Sequence, residues 1–141
     1  MQQYLEFISN HYILAGGWAA IFVMLIYSYI GARLRGYASA NPAVATQLIN
    51  RENAVMVDVR EDNEYVSGHI INSTHIPLSY FRDRLKELEK HKSDPIIVGC
   101  KTGQRSGQAC AILKKAGFEK VYNLSGGVSA WQADNLPLTK K

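Results

Sequence analysis

The sequence predicts an α/β fold: a mostly parallel central sheet with helices on both faces, preceded by one helix that crosses a membrane. From residue 42 onward, short apolar runs rich in β-branched residues alternate with stretches whose apolar residues recur at helical spacing. This alternation is typical of parallel sheets, because parallel neighbours are joined by crossover connections that place helices on both faces. Before residue 33, one segment is apolar all round, and a domain of about 100 residues would not bury such a helix.

The apolar segment, residues 12–32, holds 21 consecutive uncharged residues and is long enough to span a bilayer as a helix. Tyrosines flank it on both sides, as in the aromatic belts of membrane proteins. We therefore expect four parts: a short N-terminal tail (1–11), a transmembrane helix (12–32), a linker (33–41) and a folded domain (42–141).

The charges around the apolar segment predict its orientation. Glu6 precedes it without any Lys or Arg, whereas Arg33 and Arg35 follow it. The positive-inside rule then places the N-terminus outside and the domain in the cytoplasm. The cytoplasm is a reducing compartment, in which the thiolate of a reactive cysteine persists. A cleaved signal peptide is the alternative, because Ala38-Ser39-Ala40 resembles a cleavage site. The lack of Lys and Arg in the first 32 residues, and the two arginines before that site, argue against cleavage.

In the domain, Asn41 is expected to cap a helix that begins at Pro42. The elements expected after it are a strand over 54–59, an acidic helix over 61–67, a short strand at Ile76, an amphipathic helix over 80–91, a strand over 96–99, a helix over 107–117, a strand over 120–124 and a short helix over 127–133. Ligands of such sheets bind beyond the carboxyl ends of the strands. Asp58 and Cys100 lie at two such ends, so we expect both at one site.

One strand–loop–helix segment carries the chemistry. Ile96 to Gly99 is a buried strand, and Cys100 follows it on a tight loop with Gly103 at its centre. The helix start beyond the loop offers unpaired N–H groups and a partial positive charge, and Lys101 and Arg105 add full charges. All of these lower the pKa of a cysteine, whose thiolate is the nucleophile. The alternative is a structural cysteine that ends a strand.

Composition excludes several other classes of function. The net charge is +4, and the 16 basic residues are scattered without interleaved aromatic residues, which argues against nucleic-acid binding. Of the two cysteines, Cys110 falls on the apolar side of its helix and is expected in the core, so a disulfide framework is not indicated. No cluster of ligating side chains has metal-site spacing, and we expect neither a metal nor a cofactor.

The loop Cys-Lys-Thr-Gly-Gln-Arg-Ser, residues 100–106, resembles the active-site loop of rhodanese domains. Further segments resemble the same family in the same order: Val57-Asp58-Val59-Arg60-Glu61, Glu64-Tyr65, Gly68-His69-Ile70, His75-Ile76-Pro77, and Leu124-Ser125-Gly126-Gly127-Val128-Ser129-Ala130-Trp131. The resemblance covers about residues 42 to 139. With its apolar N-terminal segment, the whole chain is similar to small rhodanese-like proteins anchored in the bacterial inner membrane.

The resemblance implies a rhodanese-like fold and a sulfurtransferase that carries sulfur as a persulfide on Cys100. The donor is then thiosulfate or a persulfide, and the acceptor is cyanide or a thiol. The loop residues that would cradle the sulfur and attract the donor are Lys101, Thr102, Gly103, Gln104 and Arg105, and those that would support the pocket are Asp58, Arg60 and Ser106. The membrane anchor implies a membrane partner that no residue identifies.

Two other functions stay open at this point. Related cysteine-loop phosphatases and arsenate reductases have a similar loop, but with one more residue between the cysteine and the arginine. Here four residues, 101–104, separate Cys100 from Arg105, which gives a cradle suited to one sulfur atom rather than to a tetrahedral oxyanion. The third hypothesis is a membrane-tethered interaction or regulatory protein, against which the intact Cys, Gly and Arg argue.

Three residues near the expected site have competing interpretations. Asp58 and Arg60 either order the pocket or form a local pair that only fixes the exit of their strand. Glu64 is interpreted as a solvated helix carboxylate. No histidine stands next to Cys100 in sequence to deprotonate it, so we expect the loop itself to activate the thiol.

Overall fold

The computed structural model describes residues 1–140, apart from the side chains of Gln3, Leu5, Ile8, Ser9 and Ala32. It divides the chain into two compact units, Met1–Arg35 and the residues from Gly36 onward.

The first unit consists of two helices, α1 (Gln2–Asn10) and α2 (Tyr12–Leu34), with His11 between them. The expected N-terminal tail is thus mostly helical, and the expected transmembrane helix continues two residues past its predicted end. Within α2, Tyr12–Gly31 is long and apolar enough to cross a membrane. A signal sequence satisfies the same criterion of length and composition.

The second unit is a five-stranded sheet with helices around it. Its elements in chain order are β1 (Ala38–Ala40), α3 (Pro42–Glu52), β2 (Val55–Asp58), α4 (Asp62–Ser67), β3 (Thr74–His75), two 3₁₀ helices (Leu78–Tyr80 and Leu85–His91), β4 (Ile96–Gly99), α5 (Gln104–Lys115), β5 (Val121–Leu124) and α6 (Gly127–Ala133). The strands are all parallel in the order β1-β5-β4-β2-β3. The predicted fold class is confirmed.

The sheet is buried on both faces, because successive side chains of a strand point to opposite sides. In β4, Ile96 and Val98 belong to one core cluster with Phe81 and Leu113, whereas Ile97 belongs to the cluster on the other face. This explains why the strand is a continuous apolar run rather than an alternating one. At the start of α3, the Asn41 side chain accepts a hydrogen bond from the Val44 N–H, as its capping position predicts.

The range 33–41, expected to be a linker, contains a strand. Ala38–Ala40 forms β1, which pairs with β5 from Ala38 opposite Tyr122 to Ala40 opposite Leu124, and the Ala40 side chain is fully buried. Three small residues without β-branching carry no strand pattern of their own, so only the pairing with β5 reveals this element.

The prediction of one amphipathic α-helix over 80–91 is wrong. The segment instead forms two short 3₁₀ helices separated by turns, although Phe81 and Leu88 are buried as expected. Because residues three apart lie on one side of a 3₁₀ helix, the spacing of three between Leu85 and Leu88 fits both kinds of helix, whereas Phe81 lies outside both 3₁₀ helices. The short strand also lies at Thr74–His75, just before Ile76, whose N–H still bonds to the Asp58 carbonyl.

Candidate active site

Cys100 lies at the carboxyl end of β4, on a loop that closes over its own sulfur. The Gly103 N–H donates to Cys100 Sγ at 3.0 Å, and Ser106 Oγ lies 3.4 Å from the same atom. Gly103 has φ +103°, a conformation that other residues rarely adopt. It lets α5 begin at Gln104 rather than at the predicted residue 107, so Arg105 and Ser106 already stand in the first helical turn.

Cys100 is almost completely buried, with 1% of its surface exposed. Burial alone raises the pKa of a thiol, because it penalises the charged form. Hydrogen bonds from the Ser106 hydroxyl and from the N–H groups of Ser106, Gly103 and Thr102 outweigh that effect, and the pKa of Cys100 is lowered overall. The loop therefore stabilises a thiolate mainly through hydrogen bonds, whereas the sequence analysis also counted the charges of Lys101 and Arg105 among the causes.

The start of α6 donates two backbone hydrogen bonds to the cysteine loop. The Val128 N–H donates to the Cys100 carbonyl at 2.8 Å, and the Ser129 N–H donates to the Lys101 carbonyl at 3.1 Å. With these carbonyls turned towards α6, the N–H groups of the loop are free to face the sulfur. Gly127 has φ +59°, and a Cβ there would collide with the backbone of Cys100 and Lys101. Gly127 thus allows the close approach of two backbones.

Arg105 is bound by Glu64, which corrects the interpretation of Glu64 as a solvated carboxylate. Nη1 and Nη2 of Arg105 each donate to one oxygen of the Glu64 carboxylate at 2.7 Å, and the Arg105 and Glu64 side chains are about one third and one quarter exposed. The hydrogen bond from Arg105 lowers the pKa of Glu64 to about 2. The pair joins the first turn of α5 to α4, and Glu64 also completes the capping box of α4 with Glu61.

Asp58 and Arg60 form a buried pair at the exit of β2. Arg60 Nη2 lies 2.8 Å from Asp58 Oδ2 and also donates to the Gly68 carbonyl at 2.8 Å, while the Arg60 carbonyl lies 2.7 Å from His75 Nε2. The pair therefore fixes the strand exit, as one interpretation expects. Arg60 also lines a cavity beside the loop, as the other interpretation expects.

That cavity measures about 210 Å³ and opens next to the cysteine loop. Its charged lining residues are Arg60, Glu64 and Lys101, and Leu138 from the C-terminal segment adds an apolar wall. Among the described residues, Lys101 takes part in no ion pair, whereas the other two are engaged in the pairs above. A ligand in this cavity therefore encounters one available cation beside the loop.

Of the remaining predicted loop residues, Thr102 and Gln104 are exposed, and neither lines this cavity. Cys110 lies in the core, as predicted, with its thiol 3.6 Å from the Tyr122 carbonyl oxygen. Burial raises the pKa of Cys110 to about 12, which keeps it a thiol at neutral pH. The two cysteines are thus opposite in chemical character.

The sequence reasoning missed Asn123, which lies on β5 and hydrogen-bonds to the loop at two places, Gly103 and Ser106. Asparagine is depleted in strands, and its position in the apolar run Val121–Leu124 was a signal that it has a polar partner. It also missed the contribution of α6, although the Gly126-Gly127 pair indicated a close backbone approach.

Comparisons with known proteins agree with this geometry. The Rhodanese-like domain family matches residues 41–134. The uncharacterized protein YibN of Escherichia coli (strain K12) is 35% identical, over 99% of both chains. The thiosulfate sulfurtransferase GlpE of Pseudoalteromonas translucida is 35% identical, over 64% of this chain and 85% of its own. The crystal structure of a rhodanese-related protein from Thermoplasma volcanium has a TM-score of 0.67 and 32% identity, over 74% of this chain and all of the other. With a cysteine loop built on a parallel sheet and relatives of this similarity, the chain belongs to the rhodanese-like domain family.

Proposed function

We propose that the protein is a membrane-anchored sulfurtransferase, which moves sulfane sulfur from thiosulfate or a persulfide donor to a thiophilic acceptor through a persulfide on Cys100. The observation that carries the proposal is the set of hydrogen-bond donors gathered around Cys100 Sγ, with the Gly103 N–H at 3.0 Å. Such donors stabilise a thiolate, and they also stabilise the negative charge of a sulfur atom added to it.

In the first step, the Cys100 thiolate attacks the outer sulfur of the donor. A bond forms between the two sulfur atoms while the bond between the outer sulfur and the rest of the donor breaks. The electron pair of that bond leaves with the donor remainder, which is sulfite when the donor is thiosulfate. The negative charge of the enzyme then resides on the terminal sulfur of the Cys100 persulfide.

In the second step, cyanide or a thiolate attacks that terminal sulfur. The new bond yields thiocyanate or a new persulfide, and the electron pair of the Cys100 sulfur–sulfur bond returns to Sγ. The thiolate is regenerated without an outside oxidant or reductant. Because Cys110 stays a thiol in the core, it takes no part in either step.

Charge and size favour a small anionic donor. Lys101 is exposed at the cavity beside the loop and attracts an anion, whereas the charge of Arg105 is balanced by Glu64. The loop places four residues between Cys100 and Arg105, one fewer than in the cysteine-loop phosphatases that it resembles. A smaller ring of N–H groups suits one sulfur atom better than a tetrahedral phosphate.

We further propose that α2 spans the bacterial inner membrane with the N-terminus outside and the domain in the cytoplasm. Arg33 and Arg35 follow the apolar segment, as the positive-inside rule requires for this orientation. Cleavage after Ala40, the site that would suit a signal peptide, would remove the whole of β1 and its pairing with β5. An anchor that is retained keeps the sheet complete.

The test compares two matched variants, Cys100→Ser and Cys110→Ser. Cys100→Ser is expected to abolish sulfur transfer from thiosulfate to cyanide, and Cys110→Ser is expected to keep most of it. Mass analysis after incubation with thiosulfate should find one added sulfur atom on Cys100 in the wild-type protein and in Cys110→Ser. It should find none in Cys100→Ser. Equal loss in both variants, or transfer without a sulfur adduct on Cys100, would contradict the proposal.

A further inference from the structure

Asn123 makes two hydrogen bonds to the cysteine loop from a strand that carries no other part of the site. It lies on β5, opposite Val98 of β4 in the sheet register. Its Nδ2 donates to the Gly103 carbonyl at 3.0 Å, and its Oδ1 accepts from the Ser106 hydroxyl at 2.6 Å. The Gly103 N–H and the Ser106 hydroxyl are also among the groups that contact Cys100 Sγ, at 3.0 and 3.4 Å.

The orientation of the Asn123 amide follows from its partners. The Gly103 carbonyl can only accept a hydrogen bond, so the amide nitrogen must face it. The amide oxygen therefore faces Ser106, and it can only accept. This leaves the Ser106 hydroxyl as the donor in the contact at 2.6 Å.

The Ser106 hydroxyl carries a single proton and has two acceptors within reach. Asn123 Oδ1 lies at 2.6 Å and Cys100 Sγ at 3.4 Å, and Ser106 is fully buried, away from bulk water. When Sγ is a neutral thiol, the hydroxyl donates to Asn123 and can accept from the thiol. When Sγ is a thiolate, its negative charge competes for the same proton, because hydrogen bonds to charged groups are the stronger ones.

We propose that Asn123 is a positioning residue that decides where the Ser106 proton points: towards Asn123 while Sγ is neutral, and towards Sγ while it carries the charge. This inference rests on the proposed function. In the thiolate the charge is on Sγ, and in the persulfide it has moved to the outer sulfur, so Sγ is neutral again. The hydroxyl rotates between its two acceptors, and no covalent bond to hydrogen breaks.

The competition has a chemical consequence for the nucleophile. A thiolate that is stabilised more strongly is also less nucleophilic. Because Asn123 Oδ1 competes with Sγ for the Ser106 hydroxyl proton, the hydrogen bond from Ser106 stabilises the thiolate less than it would without Asn123. Asn123 also gives the hydroxyl a partner at the stage when Sγ no longer attracts it, so that no buried donor is left unsatisfied.

The test measures the pKa of Cys100 in the full-length protein, from the pH dependence of alkylation located on Cys100 by mass analysis. Four proteins form a double-mutant cycle: wild type, Asn123→Ala, Ser106→Ala, and the double variant. Asn123→Ala removes the hydrogen bond to the Gly103 carbonyl, and this loss shifts the pKa of Cys100 equally with Ser106 and with Ser106→Ala. Asn123→Ala also removes the competition for the Ser106 hydroxyl, and this loss lowers the pKa of Cys100 only where Ser106 is present. The charged and titratable groups around the sulfur, Lys101, Arg105, Glu64 and Cys110, are the same in all four and cancel in the comparison.

We expect the pKa change caused by Asn123→Ala to be more negative by about 0.5 unit or more when Ser106 is present than in the Ser106→Ala background. A smaller difference, or one of opposite sign, would show that Asn123 only holds the loop together and would overturn the inference. A second variant, Asn123→Asp, keeps the size of the side chain and serves if Asn123→Ala does not fold. The new carboxylate accepts a stronger hydrogen bond from the Ser106 hydroxyl than the amide does. Asn123→Asp should therefore raise the pKa of Cys100 more when Ser106 is present than in the Ser106→Ala background, and an equal rise would likewise overturn the inference.

Alkylation requires neither a sulfur donor nor an acceptor. If the Cys100 and Cys110 variants contradict sulfur transfer, the cycle still measures the link between Asn123 and Ser106. If sulfur transfer is found and the cycle shows no coupling, the role of Asn123 fails and the proposed function stands.

Discussion

Replacement of Glu64 by Gln tests whether the ion pair with Arg105 holds the cysteine loop in place. Glu64→Gln keeps the shape of the side chain but removes its charge and its bidentate acceptance of the Arg105 guanidinium, whose two bonds are both 2.7 Å long. Because Arg105 stands in the first turn of α5, directly after the loop that closes over Sγ, a displaced guanidinium disturbs the donors around Cys100. We expect lower stability together with slower sulfur transfer.

The magnitude follows from the pKa of Glu64, which is lowered from 4.5 to about 2. Such a shift would correspond to about 3 kcal/mol for a fully shielded group. The side chains are 27% and 33% exposed, so solvent screening reduces the expected loss to about 1–2 kcal/mol at neutral pH. A carboxyl whose pKa is lowered on folding stabilises the protein above its ordinary pKa, and loses that effect as the pH falls towards the lowered value. The difference between wild type and variant should therefore shrink between about pH 4.5 and pH 2.

The assay is equilibrium unfolding of the full-length protein in detergent, at pH 7 and at the lowest pH where the protein stays folded. The matched control is Glu87→Gln, which removes a second bidentate pair, with Arg84, that is exposed and makes no hydrogen bond to the loop. The control should change little in stability or activity. Equal losses in both variants, or no loss of stability in Glu64→Gln, would refute the idea that the pair holds the loop.

Three further predictions follow from the site. The rate of alkylation of Cys100 should titrate below the free thiol value of about 8.5, and a midpoint at or above that value would show that the loop does not activate the thiol. Gly127→Ala should cost about 1–3 kcal/mol of stability and at least about tenfold in sulfur transfer, because its Cβ displaces the backbone of Cys100; unfolding and activity measurements check both, and unchanged activity would contradict this. A protease added outside spheroplasts should leave the domain intact, whereas digestion from outside would reverse the proposed orientation.

Much of the fold could be predicted from local pattern. The buried strands at 55–58 and 96–99 are recognisable as apolar β-branched runs, and the helix from Pro42 is recognisable by its asparagine cap. Cys100 could be placed at a strand end by the same reasoning. These features depend on neighbouring residues in the chain, which is why one sequence sufficed to find them.

The features that the sequence did not reveal depend on residues far apart in the chain. β1 exists because β5, more than 80 positions later, supplies its hydrogen-bond partners. The pairing of Glu64 with Arg105 and the bonds of Asn123 to the loop likewise join separate elements. Local charge pattern misjudged Glu64 for this reason, since nothing in its own helix shows that an arginine from α5 reaches it.

The hydrogen bonds that α6 gives to the loop come from backbone groups, the N–H groups of Val128 and Ser129. Together with the Gly103 N–H on the sulfur, they mean that much of what surrounds Cys100 has no side chain to remove. An alanine scan would therefore report a site of very few residues and would leave most of its donors untouched. Substitutions that act on the main chain, such as proline in place of a donor residue, are the changes to which this site is most sensitive. Tolerance of side-chain variation around Cys100 is thus compatible with strict demands on the path of the chain.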